Sequence, residues 1–234
     1  MNILKKWKFI LDTGNLPKGE SLDFVSKWLL ATRAEVFSMT LTSVLIGALL
    51  SATSGYFNLF YLILICIGMI LAHASNNLIN DYFDYKQGLD TKDYYRVQYA
   101  PHPIVSGLMS EKELLSAFFI FGLIELLIAI YLFWKVGVLV LVLAIIGFLL
   151  SVFYVAPPLK LKYIGLGEII IFLIWGPLIT GGTYYVMAKN LNWDIILASI
   201  PYGLVVMNVL LGKHLDKYDK DKEKNVKTLP EIGR

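Results

Sequence analysis

Apolar residues run along this chain in long, uncharged blocks, without the alternation of a half-buried strand or the one-sided stripe of a surface helix. Such blocks recur between Val36 and Gly212, and at 1.5 Å per helical residue each can cross a hydrocarbon core about 30 Å thick. The pattern predicts six membrane helices. The first covers residues 36–52, and the cluster Ser54-Gly55-Tyr56-Phe57-Asn58 turns the chain into a second that continues to about Asn77. Four more follow over about 114–134, 137–156, 168–188 and 195–212, then a charged tail. The fold class is therefore all-α, a polytopic bundle of membrane helices. Residues 1–34 form a cytosolic arm and residues 35–234 the membrane domain. In the arm, Phe24, Trp28 and Leu29 fall on one side of a short helix, which suits a segment resting at the lipid interface. The order of charges in the arm is not that of a cleavable signal.

Composition agrees: 57% of the 234 residues are hydrophobic and 17% charged, which excludes disorder. A net charge of +3 is too small to imply nucleic acid. Placement of the charges says more than their sum. Nineteen of the 21 Lys and Arg residues fall in the arm, the loops after the second and fourth spans, and the tail, leaving Lys135 and Lys189 opposite. By the positive-inside rule both termini and those two loops are cytosolic. The single cysteine, Cys66, lies within an apolar block, so no intrachain disulfide forms and an inert thiol is expected.

The longest polar break runs from Asn80 to Glu113 and holds ten charged residues with Gly88, Pro101, Pro103 and Gly107; function is expected there. Asn77, Asn80, Asp81 and Asp84 stand at i, i+3, i+4 and i+7, on one helical face. Carboxylates one turn apart repel, and a hard cation with oxygen ligands relieves them. Mg2+ suits best, because it binds through one or two carboxylates while phosphate oxygens and water complete its shell. The plain alternative is a solvated, acidic helix end. After the sixth span Asp216, Asp219 and Asp221 form a second acidic group. If that helix continues, Asp216 and Asp219 face the bundle and Asp221 needs a bend or faces water. Two opposed acidic helix ends would hold two metals across a cavity, whereas alternating Lys and Asp alone reads as a solvated tail. Lys160 and Lys162, after the helix-stopping Pro157 and Pro158, are candidates to neutralise phosphate, with Lys86, Lys92 and Arg96 competing for that role.

Glu125, near the middle of the third span, must be protonated, paired or cavity-facing. His73, Asn76 and Asn208 read first as hydrogen bonds between helices. The sequence holds no Gly-rich phosphate loop, no paired-cysteine metal site and no nucleophile elbow.

These residues resemble a known family. Asn80-Asp81-Tyr82-Phe83-Asp84 through Gly88-Leu89-Asp90 is similar to the first aspartate-rich motif of the UbiA superfamily of membrane prenyltransferases, with the ending found in the 1,4-dihydroxy-2-naphthoate (MenA) type. Pro101 to Gly107 resembles the segment that follows that motif, and Tyr154 to Tyr163 the Tyr-x-x-Pro-Pro loop. Gly165-Leu166-Gly167-Glu168 through Gly176-Pro177-Leu178 resembles the fifth helix of the MenA type, and Lys227-Thr228-Leu229-Pro230 the end of the second aspartate motif. The likeness runs from about Arg33 onward. Lys217 stands where MenA-type members place an Asp, Asn225 where they place a Gly, and His102 where an Arg is common.

The resemblance implies a ring of nine membrane helices, of which six are visible and the last third absent; a partner chain would complete it if the truncation is natural. It implies Mg2+-dependent transfer of a polyprenyl group from a prenyl diphosphate to an acceptor within a cavity open to membrane lipid. The acceptor would be an aromatic quinone precursor or, as in other members, a glycerol phosphate lipid. By matching, Asp81, Asp84, Asp216 and Asp221 carry catalysis, with Asn77, Asn80 and Asp219 joining them around metal. Lys86, Arg96, Lys160 and Lys162 would bind diphosphate, while Phe153, Tyr154, Trp175 and Asn208 line the cavity. The rival reading is an inactive six-helix membrane protein, serving as a cation-binding transport module or a partner subunit.

Overall fold

Where no water reaches the backbone, each N–H and C=O must be satisfied within its own segment, so the apolar blocks become helices. The computed structural model describes residues 1–224 and 226–232, and among them it contains no strand. Asn225 lies outside the described residues. Two short helices, α1 (Ile3–Thr13) and α2 (Phe24–Ala31), form the arm, and a 3-10 turn at Ala34–Val36 leads into α3 (Phe37–Thr53). Then come α4 (Leu59–Lys86), the short α5 (Tyr95–Tyr99), α6 (Glu111–Val136) and α7 (Leu139–Phe153). Helix α8 (Gly167–Leu173) joins α9 (Ile179–Ala188) through a π turn at Ile174–Leu178. After them lie α10 (Trp193–Asp216), α11 (Tyr218–Glu223) and α12 (Leu229–Ile232).

Among the described residues, five stretches are long and apolar enough to cross a membrane: Ala34–Thr53, Leu59–Lys86, Glu111–Val136, Gly167–Ala188 and Trp193–Asp216. The block expected over 137–156 is helical for 15 residues, Leu139–Phe153. At 1.5 Å per residue that is roughly 22 Å, short of a full hydrocarbon core. The second span, by contrast, outruns its expected end at Asn77 and continues to Lys86, 28 residues in all. The chain is an integral membrane protein.

Packing divides it into two units: Met1–Ser38 with Ala72–Gly122, and Met39–Leu71 with Leu123–Arg234. In the first unit, Asn2 caps α1 and Gly14 ends it at φ 67. Asp23 caps α2, accepting from Ser26 N at 3.0 Å. The same carboxylate pairs at 2.7 Å with Lys6, a buried lysine of α1. That contact, with the Ser26 hydrogen bonds, holds Asp23 well below the usual carboxylate range. Phe24 is 76% exposed at the start of α2, whereas Leu30 and Ala31 are buried. Leu78, Met109, Leu114 and Ala117 form the apolar core of this unit with Ala31.

In the second unit the core gathers Val44, Ile65, Leu132, Trp175, Tyr185 and Val206. Membrane helices have little hydrophobic drive between them, so they associate through small residues and interhelical hydrogen bonds. At Gly47 of α3, an added Cβ would sit 2.4 Å from the carbonyl oxygen of Thr180 on α9. The Ser43 hydroxyl donates to the carbonyl of Trp175, and lies 3.0 Å from the Thr180 hydroxyl. Pro177 has no N–H to continue the ladder, and the π turn around it absorbs the break. Gly203 of α10 approaches that turn so closely that a Cβ would sit 3.1 Å from Gly176 Cα.

Candidate functional site

The extension of α4 keeps Asn77, Asn80, Asp81 and Asp84 on one helix beyond the apolar block. Asp81 is fully buried, and Asp84 and Asn77 are buried beside it. Asn77 is occupied by the arm, donating from Nδ2 to Thr32 O at 2.8 Å. The Oδ1 atom of Asn80 is buried with no hydrogen-bond partner. Past Lys86 the chain reverses at Gly88, φ 73. Leu89 N and Asp90 N then both donate to the Asp84 carbonyl, at 2.9 and 3.2 Å. This turn carries Asp90 back beside the helix: carboxylate oxygens of Asp81 and Asp90 and a ring nitrogen of His102 lie within 4.8 Å of one another.

Two guanidinium groups hold Asp81. Arg33 occupies the turn before α3 in a left-handed conformation (φ 56, ψ 52), which for a non-glycine residue costs on the order of 1–2 kcal/mol. Its Nη2 binds Asp81 Oδ1. From α5, Arg96 Nη2 donates to Asp81 Oδ2 at 2.9 Å, and its Nη1 donates to Ala100 O at 3.2 Å. Burial lowers both arginines, Arg33 to about 9, and a guanidinium keeps its proton in a folded protein.

His102 is buried, and its Nδ1 accepts from the backbone N–H groups of Ile104 and Val105, each at 3.2 Å. A ring nitrogen that accepts carries no proton, so in neutral His102 the hydrogen sits on Nε2. That nitrogen faces Asp90 Oδ2 at 3.2 Å and Asp81 Oδ1 at 3.9 Å. Burial, assisted by Arg96 and Arg33, outweighs the pull of Asp90 and lowers the His102 pKa, which keeps the ring neutral. His102 thus lies within ion-pair distance of Asp90 without completing a hydrogen bond to its Oδ2, and the oxygens are the atoms suited to a metal. Glu35, Asp84 and Asp90 act electrostatically on both arginines. With Asp81 that makes four carboxylates against two guanidinium groups. The surplus of carboxylates over guanidinium groups, the buried oxygen donors and the unpartnered Asn80 oxygen fit a hard divalent cation.

The other expected cations sit differently. Lys86 is exposed and pairs with Glu111 at 2.6 Å, and Lys92 is exposed. In the second unit Lys160 and Lys162 lie 5.9 and 5.6 Å from the centre of the Tyr163 ring.

The second acidic segment reverses its expected exposure. Helix α10 stops at Asp216, Lys217 leaves helical geometry (φ −100, ψ 1), and α11 restarts at Tyr218. The break rotates the later residues, so Asp221 is buried while Asp216 and Asp219 are exposed. Nearby, Glu168 is fully buried with its Oε1 2.7 Å from His214 Nδ1. Of the expected cavity residues, Tyr154 and Trp175 are buried, Phe153 is half-buried and Asn208 is exposed.

Sequence reasoning passed over Arg33, Glu168 and His214 as site residues, and took His102 and Asp90 as motif letters alone. Arg33 carried a usable signal, a lone arginine among lysines directly before the first span.

Comparison with known proteins adds identity to this geometry. The model of the UbiA prenyltransferase family matches residues 40–232. The UbiA prenyltransferase domain-containing protein 1 of Dictyostelium discoideum is 29% identical over 190 residues, covering 78% of this chain and 56% of that protein. The 1,4-dihydroxy-2-naphthoate octaprenyltransferase of Haemophilus influenzae is 29% identical over 218 residues, covering 86% of this chain and 67% of its own length. The chain thus spans 56–67% of these relatives. Among solved structures, a digeranylgeranylglyceryl phosphate synthase matches with a TM-score of 0.65 at 20% identity, covering 90% of this chain and 69% of that one. A UbiA homologue from Archaeoglobus fulgidus bound to GPP and Mg2+ matches with a TM-score of 0.65 at 18% identity, covering 89% of this chain and 69% of that one. These likenesses establish a shared fold.

Proposed function

We propose that this chain, which belongs to the UbiA prenyltransferase family, moves a polyprenyl group from a prenyl diphosphate to an aromatic quinone precursor in the membrane. The observation that carries the reading is the buried charge cluster around Asp81: two guanidinium groups, four carboxylates and an unpartnered amide oxygen. Guanidinium groups present the forked donor geometry that phosphate oxygens match. Arg33 and Arg96 would take diphosphate by exchanging a carboxylate oxygen for a phosphate oxygen, with their desolvation already met in the fold. Asp81, Asp84 and Asn80 would hold Mg2+ in this cluster, and Asp216, Asp219 and Asp221 a second ion. When bound, the metal would offset charge on the diphosphate leaving group. His102 sits beside Asp90, 3.2 Å from its Oδ2. Lys86, Lys160 and Lys162 are secondary candidates for phosphate, since each already has a neighbour, a carboxylate or a ring.

The buried Tyr154 and Trp175, with Phe153 and Asn208, would line the path of the prenyl chain, where apolar walls exclude the water that would consume a carbocation. The naphthoate relatives support an aromatic acceptor. The charge distribution supports a cytosolic position for both termini and both acidic segments. The test is transfer of a radiolabelled prenyl group from geranylgeranyl diphosphate to 1,4-dihydroxy-2-naphthoate, with a glycerol phosphate acceptor in parallel. Labelled naphthoate that requires Mg2+ is the expected result. Label on the glycerol phosphate alone would overturn the acceptor, and label on neither would support the inactive reading.

A further inference from the structure

A single buried carboxylate oxygen holds both ends of the second acidic segment. Glu168 Oε1 lies 2.7 Å from His214 Nδ1 and accepts from Leu229 N at 3.3 Å. Asp216, Asp219 and Asp221 fall between those two residues in the chain. The break at Lys217 deprives Asp219 and Asp221 of continuous helical support from α10. A second, weaker fastening sits beside the first: Lys227 N donates to Tyr163 O at 3.3 Å, next to the bridge between Ile164 and Lys227. Val226 and Thr228 are buried around it.

We infer that Glu168 is a positioning residue that fixes the second acidic segment for cation binding by anchoring it at both ends. The inference rests on the prenyl-transfer reading above for what the segment binds. A side chain kept for stability alone would be satisfied throughout or apolar. Glu168 instead leaves its Oε2 buried with no hydrogen-bond partner, which is a burden on folding. What it supplies is a closed segment: fastening both ends removes most of the chain entropy that gathering three carboxylates around an ion would otherwise consume.

The experiment compares the full chain in detergent with its Glu168→Ala and Glu168→Gln variants by hydrogen exchange without ligand and by the Mg2+ dependence of transfer. In Glu168→Ala, amides of residues 215–228 should exchange about tenfold faster, the scale of one or two lost hydrogen bonds, while residues 77–106 keep their protection. The Mg2+ concentration for half-maximal transfer should rise by a similar factor, with the rate at saturating Mg2+ within about twofold of wild type. Glu168→Gln keeps an acceptor for Leu229 N and should recover most of both effects. Unchanged exchange over 215–228, or acceleration spread evenly over the chain, would overturn the inference. If Glu168→Ala fails to fold, His214→Ala, which removes one anchor, is read in the same way. Wild-type protein without transfer would sink the functional reading, while the exchange pattern still decides whether Glu168 anchors the segment.

Discussion

The two acidic segments share their residue types and differ in how their charge is held. Around Asp81 the aspartates are buried and two arginines already bind Asp81; at Asp216 and Asp219 the carboxylates stand in solvent, with Asp221 alone turned inward. Burial without partners would be prohibitive for an ionised carboxylate, so the first segment exists as an ion cluster or not at all. The second can stay ionised beside water and depends on its anchors for shape. One is a preformed ion cluster, the other a broken helix tied at both ends.

The difference predicts unequal responses to substitution. Arg96→Met takes one of two cations from a fully buried Asp81, and removing one partner of such a pair costs about 3–5 kcal/mol; thermal unfolding in detergent should show the first unit failing early. Asp221→Asn, at a buried position, should cost about 1–3 kcal/mol in the same measurement. Asp216→Asn and Asp219→Asn, both exposed, should stay within about 0.5 kcal/mol, while raising the Mg2+ needed for transfer. Equal losses at Asp219 and Asp221 would erase the distinction between loop exterior and interior.

The smallest expected effect concerns the arm that delivers Arg33. Lys6 holds the Asp23 carboxyl below its ordinary range. A depressed folded-state pKa contributes stability that is present above the unfolded value, about 3.9, and fades as pH falls toward the folded value. In Lys6→Met the folded-state value moves back toward the unfolded one, so the contribution is smaller, is spent at a higher pH, and the arm should unfold at higher pH. Trp7, whose Nε1 donates to Asp23 at 3.2 Å, reports it by fluorescence. An unmoved acid transition would mean that the pair does not hold the arm.

The membrane helices were legible because apolar length alone specifies them, and the face shared by Asn80, Asp81 and Asp84 followed from helical periodicity. Arg33 was marked only by being the one arginine among six arm cations, and its reach to Asp81 depends on a left-handed turn that leaves no pattern in the sequence. Glu168 and His214 meet across separate helices, 46 residues apart. The inward turn of Asp221 followed from the helix break at Lys217, where periodicity assumed a continuous helix. The shortfall of α7 is of the same kind, since Gly137 takes φ 144 and the helix begins only at Leu139.

The most direct test of the preformed site is binding of a labelled prenyl diphosphate to wild-type protein and to Asp81→Ala, each with and without Mg2+. The expected result is binding that Mg2+ strengthens in the wild type and leaves unchanged in Asp81→Ala, where the freed arginines still meet phosphate but the oxygen ligand is gone. An equal Mg2+ response in both proteins would contradict the assignment of Asp81 as the centre of the site.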